Sequence, residues 1–448
     1  MQRLSFPPLF FSVRLPTLLA MFWRRHFRRE KISAMARKEP LSFIIFRLDA
    51  LGDVVMTTPL FRALKTAHPQ SHCTVVVQEQ YKPLLVTNPH IDEILSLPRI
   101  RPAWLPQRLK RLASAMLLYW TRLRRRQVDF AISPRWDVDE HLATFLCVLT
   151  RAASRVGYAE KVSTAKQQIN RGFDAAYNLC LPPGPVRHEV LRNLAVAEAL
   201  GANPLDGRIE IRLTERDRRN AAKLLAKVPA STKLLALGIG ANSQGRRWPL
   251  QRYADVVTQL SKQHDVQPVI VCAGCELGDG LKLAAQLPRK PILLSGAGLR
   301  EVCALLEGCD LFVGNDSGAA HLAAAMDCKV IVISRHPLDG DPNHFNSPVR
   351  AAPQCGQLKV LQPATGLDEC REGCCVVAPH CITSVSVDRV VAAARTMLSE
   401  QRTPIRMPSQ SWPDEAAHRL LLHSHSAEAI LRAAQTVRPD VAQPLAPA

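Results

Sequence analysis

The sequence predicts an α/β chain made of two doubly wound units, each a parallel sheet covered by helices on both faces. Two observations predict it. Short, almost wholly apolar runs (SFIIFRL, HCTVVVQ, PVIVCAG, KVIVIS) alternate with amphipathic stretches of helical spacing, as buried parallel strands do when crossover helices join them. The alternation also pauses at GANPLDGR, residues 201–208, and then restarts. Two units of similar size, with no obvious insertion, face one another across a cleft.

The first unit is expected over residues 41–205. SFIIFRL opens it as a buried strand, and PLFRALKTA follows as a helix. HCTVVVQ, VDFAIS (128–133) and RVGY are further strands. DEHLATFLCVLTR and HEVLRNLAVAEALG (188–201) have helical spacing, the second stopped at Gly201. The second unit is expected over residues 206–400. Its strands are LLALGIG (234–240), PVIVCAG, DLFVGND and KVIVIS. Its helices are TERDRRNAAKLLAKV, LQRYADVVTQLSKQ, LREVCALLEGC and GAAHLAAAM. The tail, 401–448, is rich in Pro, Ala, Ser and His, has room for one helix and is given no chemistry.

Residues 1–40 stay outside this reading. Their apolar run is interrupted by Pro7, Pro8, Arg14 and Pro16, too often for a spanning helix. The order of a cleaved leader is missing as well. A segment resting on a membrane surface and an over-long start remain open, since Met21 and Met35 both precede the first core strand.

The 448 residues suffice for two domains, and an apolar fraction of 47% supports a real core. The formal net charge of +19 favours anionic partners: nucleic acid, lipid head groups or phosphorylated substrates. Most of the thirteen cysteines lie in apolar runs, as Cys73 and Cys272 do, and act there as small core residues in a reducing compartment. Cys370, Cys374, Cys375 and Cys381 cluster instead in DECREGCCVVAPHC. Their spacing lacks paired CxxC knuckles, so a disulfide or a packed loop is preferred to zinc.

Four stretches carry candidate chemistry. In GNDSGAAHLAAA (314–325) a strand hands over to a helix at Asp316 and Ser317. The unpaired N–H groups of a helix start suit a phosphate. Gly318 permits close approach, Ser317 offers a hydroxyl, and His321 lies one turn on. The plainer alternative is an ordinary helix capped by Asp316. GANSQGRRWPLQRYADVV (240–257) also follows a strand and holds Arg246 and Arg247, whose fork suits a diphosphate. Trp248 either packs this loop or flanks a base. In LDALGDVVMTTP (48–59), Asp49 and Asp53 stand at the carboxyl end of the first strand. There Asp53 faces the cleft, or simply serves as a helix-start acid. Finally, residues 99–127 hold nine Lys or Arg and no acid around an apolar LASAMLLYW. That composition suits an anionic membrane surface. Nucleic acid competes, although Trp104, Tyr119 and Trp120 do not alternate with the basic residues. A helix packed on its own domain is equally open.

These motifs, in this order, resemble glycosyltransferase family nine, the heptosyltransferase family. The matching segments are RLDALGDVVMTTPLFRALKTAHP with NPHIDEILSLP, then RVGY, GANSQGRRWPLQRYADVV and LFVGNDSGAAHLAAAM, covering about residues 43–335. The stretch ending CITSVSVDRV is similar to the carboxyl-terminal region of many members. The resemblance implies a GT-B architecture and an inverting transfer that needs neither metal nor other cofactor. It implies an ADP-heptose donor held by the second domain and a lipopolysaccharide inner-core acceptor. It places the enzyme in the cytoplasm, at the inner face of the inner membrane, with no nucleic acid partner. By position, Asp53 matches the general base, Arg246 the residue contacting the donor diphosphate, and Asp316, Ser317, Gly318 and His321 the donor loop and helix start. Ala241 and Asn242 fall where some members place threonines on the phosphates, and Glu276 falls near nucleotide recognition. The alternative is a non-catalytic nucleotide-sugar or glycolipid binder of the same fold.

Overall fold

The computed structural model describes residues 14–27, 40–99, 105–203, 206–367 and 378–400. Two parallel six-stranded sheets organise it. The first comprises β1 (Ser42–Arg47), β2 (His72–Gln78), β3 (Glu93–Leu97), β4 (Phe130–Ser133), β5 (Ser154–Tyr158) and β6 (Leu179–Leu181). Its order is β3-β2-β1-β4-β5-β6. The second comprises β7 (Lys233–Gly238), β8 (Val266–Cys272), β9 (Ile292–Ser295), β10 (Leu311–Asn315), β11 (Lys329–Ile333) and β12 (Leu358–Leu361). Read from β9, its order is β9-β8-β7-β10-β11-β12. Both sheets therefore share one doubly wound order, with a switch point between β1 and β4 and another between β7 and β10. Such switch points are where open α/β sheets bind ligands.

The central strands are buried on both faces, which explains their unbroken apolar runs. β10, for example, is buried along its whole length. The four strands absent from the sequence reading (β3, β6, β9, β12) are the four sheet edges. Each is short and only partly buried, so no long apolar run marks it.

Two local expectations shift. The helix expected from DEHLATFLCVLTR begins only at Ala143. Ahead of it Asp139 folds the chain into a loop, accepting from His141 N, Ala143 N and Thr144 N at 2.9, 3.3 and 2.8 Å. Within residues 1–40, set aside above, Leu15–Phe27 forms a helix. Thr17 and Ala20 are buried in it, it packs against the Ala143–Leu149 helix, and Arg14 Nε donates to Arg171 O at 3.1 Å. Cys381 is buried. Cys370, Cys374, Cys375, Trp104 and the tail 401–448 lie outside the described residues.

The chain beyond the linker runs back along the first domain. Arg62 pairs with Asp206, Glu210 N donates to Thr58 Oγ1 at 2.9 Å, and Ile209 and Ile211 are buried. One apolar cluster passes from the first domain into the second, from Val54 and Leu60 to Ala320 and Phe312. Separate clusters back the outer face of each sheet.

Candidate active site

The helix Leu51–Met56 follows β1 directly and carries Asp53 at its third position. The Asp53 carboxylate reaches back to accept from Ala50 N at 3.2 Å, so it does serve its helix start. It also belongs to a cluster of four charges. Arg47 Nη2 lies 3.4 Å from Asp53 Oδ1, and Arg135 Nη1 lies 3.3 Å from Oδ2. The same two arginines flank Asp49, at 3.3 and 3.5 Å. Burial lowers the Arg135 pKa, but Asp49 and Asp53 outweigh it and raise the value. Asp53 is the more open acid, its side chain 17% exposed against 8% for Asp49. These contacts are long for charge-assisted bonds, so the carboxylate is oriented while keeping lone pairs for a further donor. Arg47 and Arg135 did not stand out in the sequence. One ends an apolar strand and the other sits in SPRW, with nothing local to link them to Asp53.

Across the cleft, the helix Gly318–Ala325 follows β10, and its cap residue is Ser317. The Ser317 hydroxyl is buried and has no hydrogen-bond partner among the described residues. Asp316 is not the cap. Its carboxylate accepts from Arg246 Nη2 at 2.7 Å, as does its carbonyl. Arg246 therefore stands at this helix start, held by Asp316.

The loop after β7 is fixed by Asn315, a residue the sequence reading passed over. Its Oδ1 accepts from Trp248 N at 2.8 Å and from Tyr253 OH at 3.0 Å, and its Nδ2 donates to Ile239 O at 2.8 Å. Trp248 is fully buried, packs edge-on against Tyr253 and donates Nε1 to Val385 O at 2.9 Å. It anchors the loop and flanks no base. Arg247 braces the loop from within, donating to Ala241 O at 3.1 Å and to Glu276 Oε1 at 2.8 Å. Glu276 is buried, and its Oε2 accepts from Ala273 N at 3.0 Å. It lies directly beneath Gly240, where an added Cβ would fall 2.1 Å from Oε2. Asn242 is exposed on the same loop.

The two sides touch. His321 is buried, and its ring rests on Gly52, beside Asp53: a Cβ at Gly52 would sit 2.7 Å from His321 Cδ2 and 2.8 Å from Nε2. Gly318 meets Leu51 in the same way, at 2.6 Å from Cδ2. Burial pushes the His321 pKa down to about 4, against the pull of Asp316 and Asp53. The ring is therefore neutral near pH 7. Its Nδ1 is buried without a hydrogen-bond partner among the described residues. The structure thus gathers Asp53, Arg246, Asp316, Ser317, Gly318 and His321 where the two switch points face each other. Of the remaining two, Glu276 lies beneath the loop after β7 and Asn242 at the surface of that loop.

Comparisons with known proteins bear on the family and the fold. The family model described as glycosyltransferase family 9 (heptosyltransferase) matches residues 116–336. The chain is 25% identical to the lipopolysaccharide core heptosyltransferase OpsX of Haemophilus influenzae over 320 residues, 70% of this chain and 82% of the relative. Among solved structures, a glycosyltransferase of family 9 from Veillonella parvula superposes with a TM-score of 0.65 at 20% identity, covering 81% of this chain and 98% of that one. The ADP-heptose lipopolysaccharide heptosyltransferase II of E. coli superposes with a TM-score of 0.59 at 18% identity, covering 80% and 98%. These likenesses show a GT-B fold. With the motifs and the facing switch points, they establish that the chain belongs to glycosyltransferase family 9, the heptosyltransferase family, and is a glycosyltransferase.

Proposed function

We propose that the enzyme transfers a heptose, or a closely related sugar, from an ADP-activated donor to the inner core of lipopolysaccharide or a related glycolipid. The transfer inverts the anomeric centre and uses no metal. One observation carries this reading: the acid on the acceptor side, Asp53, stands one residue from Gly52, on which the donor-side helix lays His321. A hydroxyl nucleophile needs a base, and a departing diphosphate needs positive charge and N–H donors. Asp53 supplies the first. Arg246 and the start of the Gly318–Ala325 helix, with the unpartnered Ser317 hydroxyl, supply the second. Binding of the diphosphate draws Arg246 partly away from Asp316. The names of the relatives support heptose, ADP and a lipopolysaccharide acceptor.

The deciding experiment incubates the protein with ADP-heptose and a heptose-free Kdo-lipid A, following ADP release and glycolipid mass. The expected result is a glycolipid heavier by one heptose. Donor binding without ADP release or a mass change would overturn Kdo-lipid A as the acceptor.

We also place the enzyme on the cytoplasmic face of an anionic membrane. On the helix Leu105–Leu118 and the turn after it, Leu109, Ala113, Leu117 and Trp120 are exposed. Their three- and four-residue spacing puts them in one stripe. Lys110, Arg124 and Arg125 are exposed beside it. The segment is less uniformly basic than its sequence: Glu93 of β3 binds Arg122 and Arg126, and Arg111 is buried. Among the described residues no helix is long and apolar enough to cross a membrane.

A further inference from the structure

Arg350 belongs to the second domain, on the short helix Pro348–Ala351, yet its carboxylate partners lie in the first. Nη1 donates to Asp137 Oδ2 at 3.0 Å, while Nη2 and Nε donate to Glu189 Oε1 at 2.8 and 3.2 Å. Nη1 also reaches Asn343 O at 2.7 Å. The side chain is only 5% exposed. Its guanidinium lies 4.6 Å from the Trp136 ring centre, and that of Arg192 lies 3.6 Å from the same ring. Arg192 shares Glu189 at 2.9 Å. Burial pushes the carboxyls of Glu189 and Asp137 up, but Arg350, with Arg192 on Glu189 and Arg135 on Asp137, holds both below their usual values.

This buried cross-domain cluster is joined to Asp53 through the backbone. Trp136 and Asp137 directly follow Arg135, the guanidinium that flanks Asp53 and Asp49. Within the first domain, Lys166 Nζ donates to the carbonyls of Arg135 and Trp136 at 3.1 and 3.0 Å. The segment 135–137 is thus clamped from two sides, and one clamp belongs to the donor domain. If the cleft opens, Arg350 leaves with that domain while Lys166 stays.

We propose that Arg350 is a positioning residue that couples closure of the cleft to the setting of Asp53. By seating Asp137, Glu189 and Trp136, it fixes Arg135 against the Asp53 carboxylate. This rests on Asp53 being the acceptor-side base. The hydrogen bonds of Arg350 go to Asp137, Glu189 and the Asn343 carbonyl, so its removal should act on turnover rather than on donor affinity.

The test uses the full chain, ADP-heptose and Kdo-lipid A. Arg350→Met is expected to lower kcat roughly ten-fold or more, with the calorimetric Kd for ADP-heptose within about two-fold. Arg350→Lys should recover part of the loss, because it keeps the charge but not the fork that spans two carboxylates. In an Arg135→Lys background, Arg350→Met should change kcat less than about two-fold, since both changes strike one unit. An unchanged kcat in Arg350→Met, a parallel loss of donor affinity, or multiplicative effects with Arg135→Lys would overturn the proposal. Should the single variant fail to fold, Asp137→Asn, Glu189→Gln and Arg350→Met together keep the shape without the buried charges and carry the same test. The base assignment is read separately in Asp53→Asn. Normal turnover there, with Arg350 and Arg135 still non-additive, removes the base and keeps the coupling. Lost turnover with additive effects does the reverse.

Discussion

At the residue scale, Asp53 does two jobs. It accepts a hydrogen bond at its own helix start, and it presents an oriented carboxylate between two arginines. Asp53→Asn retains the shape and most of the cap but cannot take a proton. It is expected to abolish transfer while leaving the calorimetric affinity for ADP-heptose nearly intact. Arg246→Ala is expected to weaken that affinity, the loss of a charge-assisted contact being worth about 1.5–3 kcal/mol. His321 tests the seam. Its pKa is near 4 in the folded protein against 6.5 as the ordinary value, so the folded state takes up its proton at lower pH than the unfolded chain. Its contribution to stability is whole above about pH 6.5 and lost as the pH falls toward 4. His321→Gln should remove that part of the slope in urea titrations at stepped pH. If the variant keeps the wild-type slope, the histidine is not the buried neutral group described. Gly52→Ala places a methyl against the His321 ring and is expected to cost about 1–3 kcal/mol by overpacking, read from the same titrations.

At the element scale, the proposed donor side is a strand end, a loop and a helix start held in register by one carboxamide. Asn315 is wholly buried at the end of β10 and ties the loop after β7 to that strand. Replacing it with Leu leaves Trp248 N without its acceptor and Tyr253 OH with only Gly238 O, at 3.4 Å. The expected destabilisation is about 1–3 kcal/mol for each buried group left unsatisfied, with weaker donor binding because the Arg246 loop loses its anchor. Equilibrium denaturation and calorimetry on Asn315→Leu check both. The strands legible in the sequence were those buried on both faces, because burial there demands an unbroken apolar run. The edge strands β3, β6, β9 and β12 were not legible, because one side of each meets solvent or a loop and alternating residues suffice. The loop at 137–142 was not legible either. DEHLATFLCV has helical spacing, and only the bonds from Asp139 to three backbone N–H groups show where the helix starts.

At the scale of the whole molecule, the two domains meet along a line of contacts. Gly52 and Leu51 lie against His321 and Gly318, and Arg350 meets Asp137 and Glu189. Arg300 donates to Thr87 Oγ1 at 3.0 Å and to Pro83 O at 3.2 Å. One face of the first domain carries the Leu109–Trp120 stripe. Replacing Leu117 and Trp120 together with Ser is expected to reduce cosedimentation with vesicles containing anionic lipid several-fold, with little effect on neutral vesicles. Equal binding of both proteins to anionic vesicles would remove the membrane reading.

The sequence by itself determined the two-unit α/β architecture, the strand-to-helix handovers where chemistry gathers, and Asp53, Arg246 and the Asp316–His321 stretch as candidates. Those features are local: apolar period, glycine placement and charge at a helix start are written in neighbouring residues. Tertiary structure alone decided which groups hold them. Arg135 meets Asp53 across 82 positions, and Arg350 meets Glu189 across 161. It also made Trp248 a core anchor, gave Asp316 to Arg246 and set His321 on Gly52. Such pairings depend on which strand ends and helix starts the fold brings together, and no local pattern of residues encodes that.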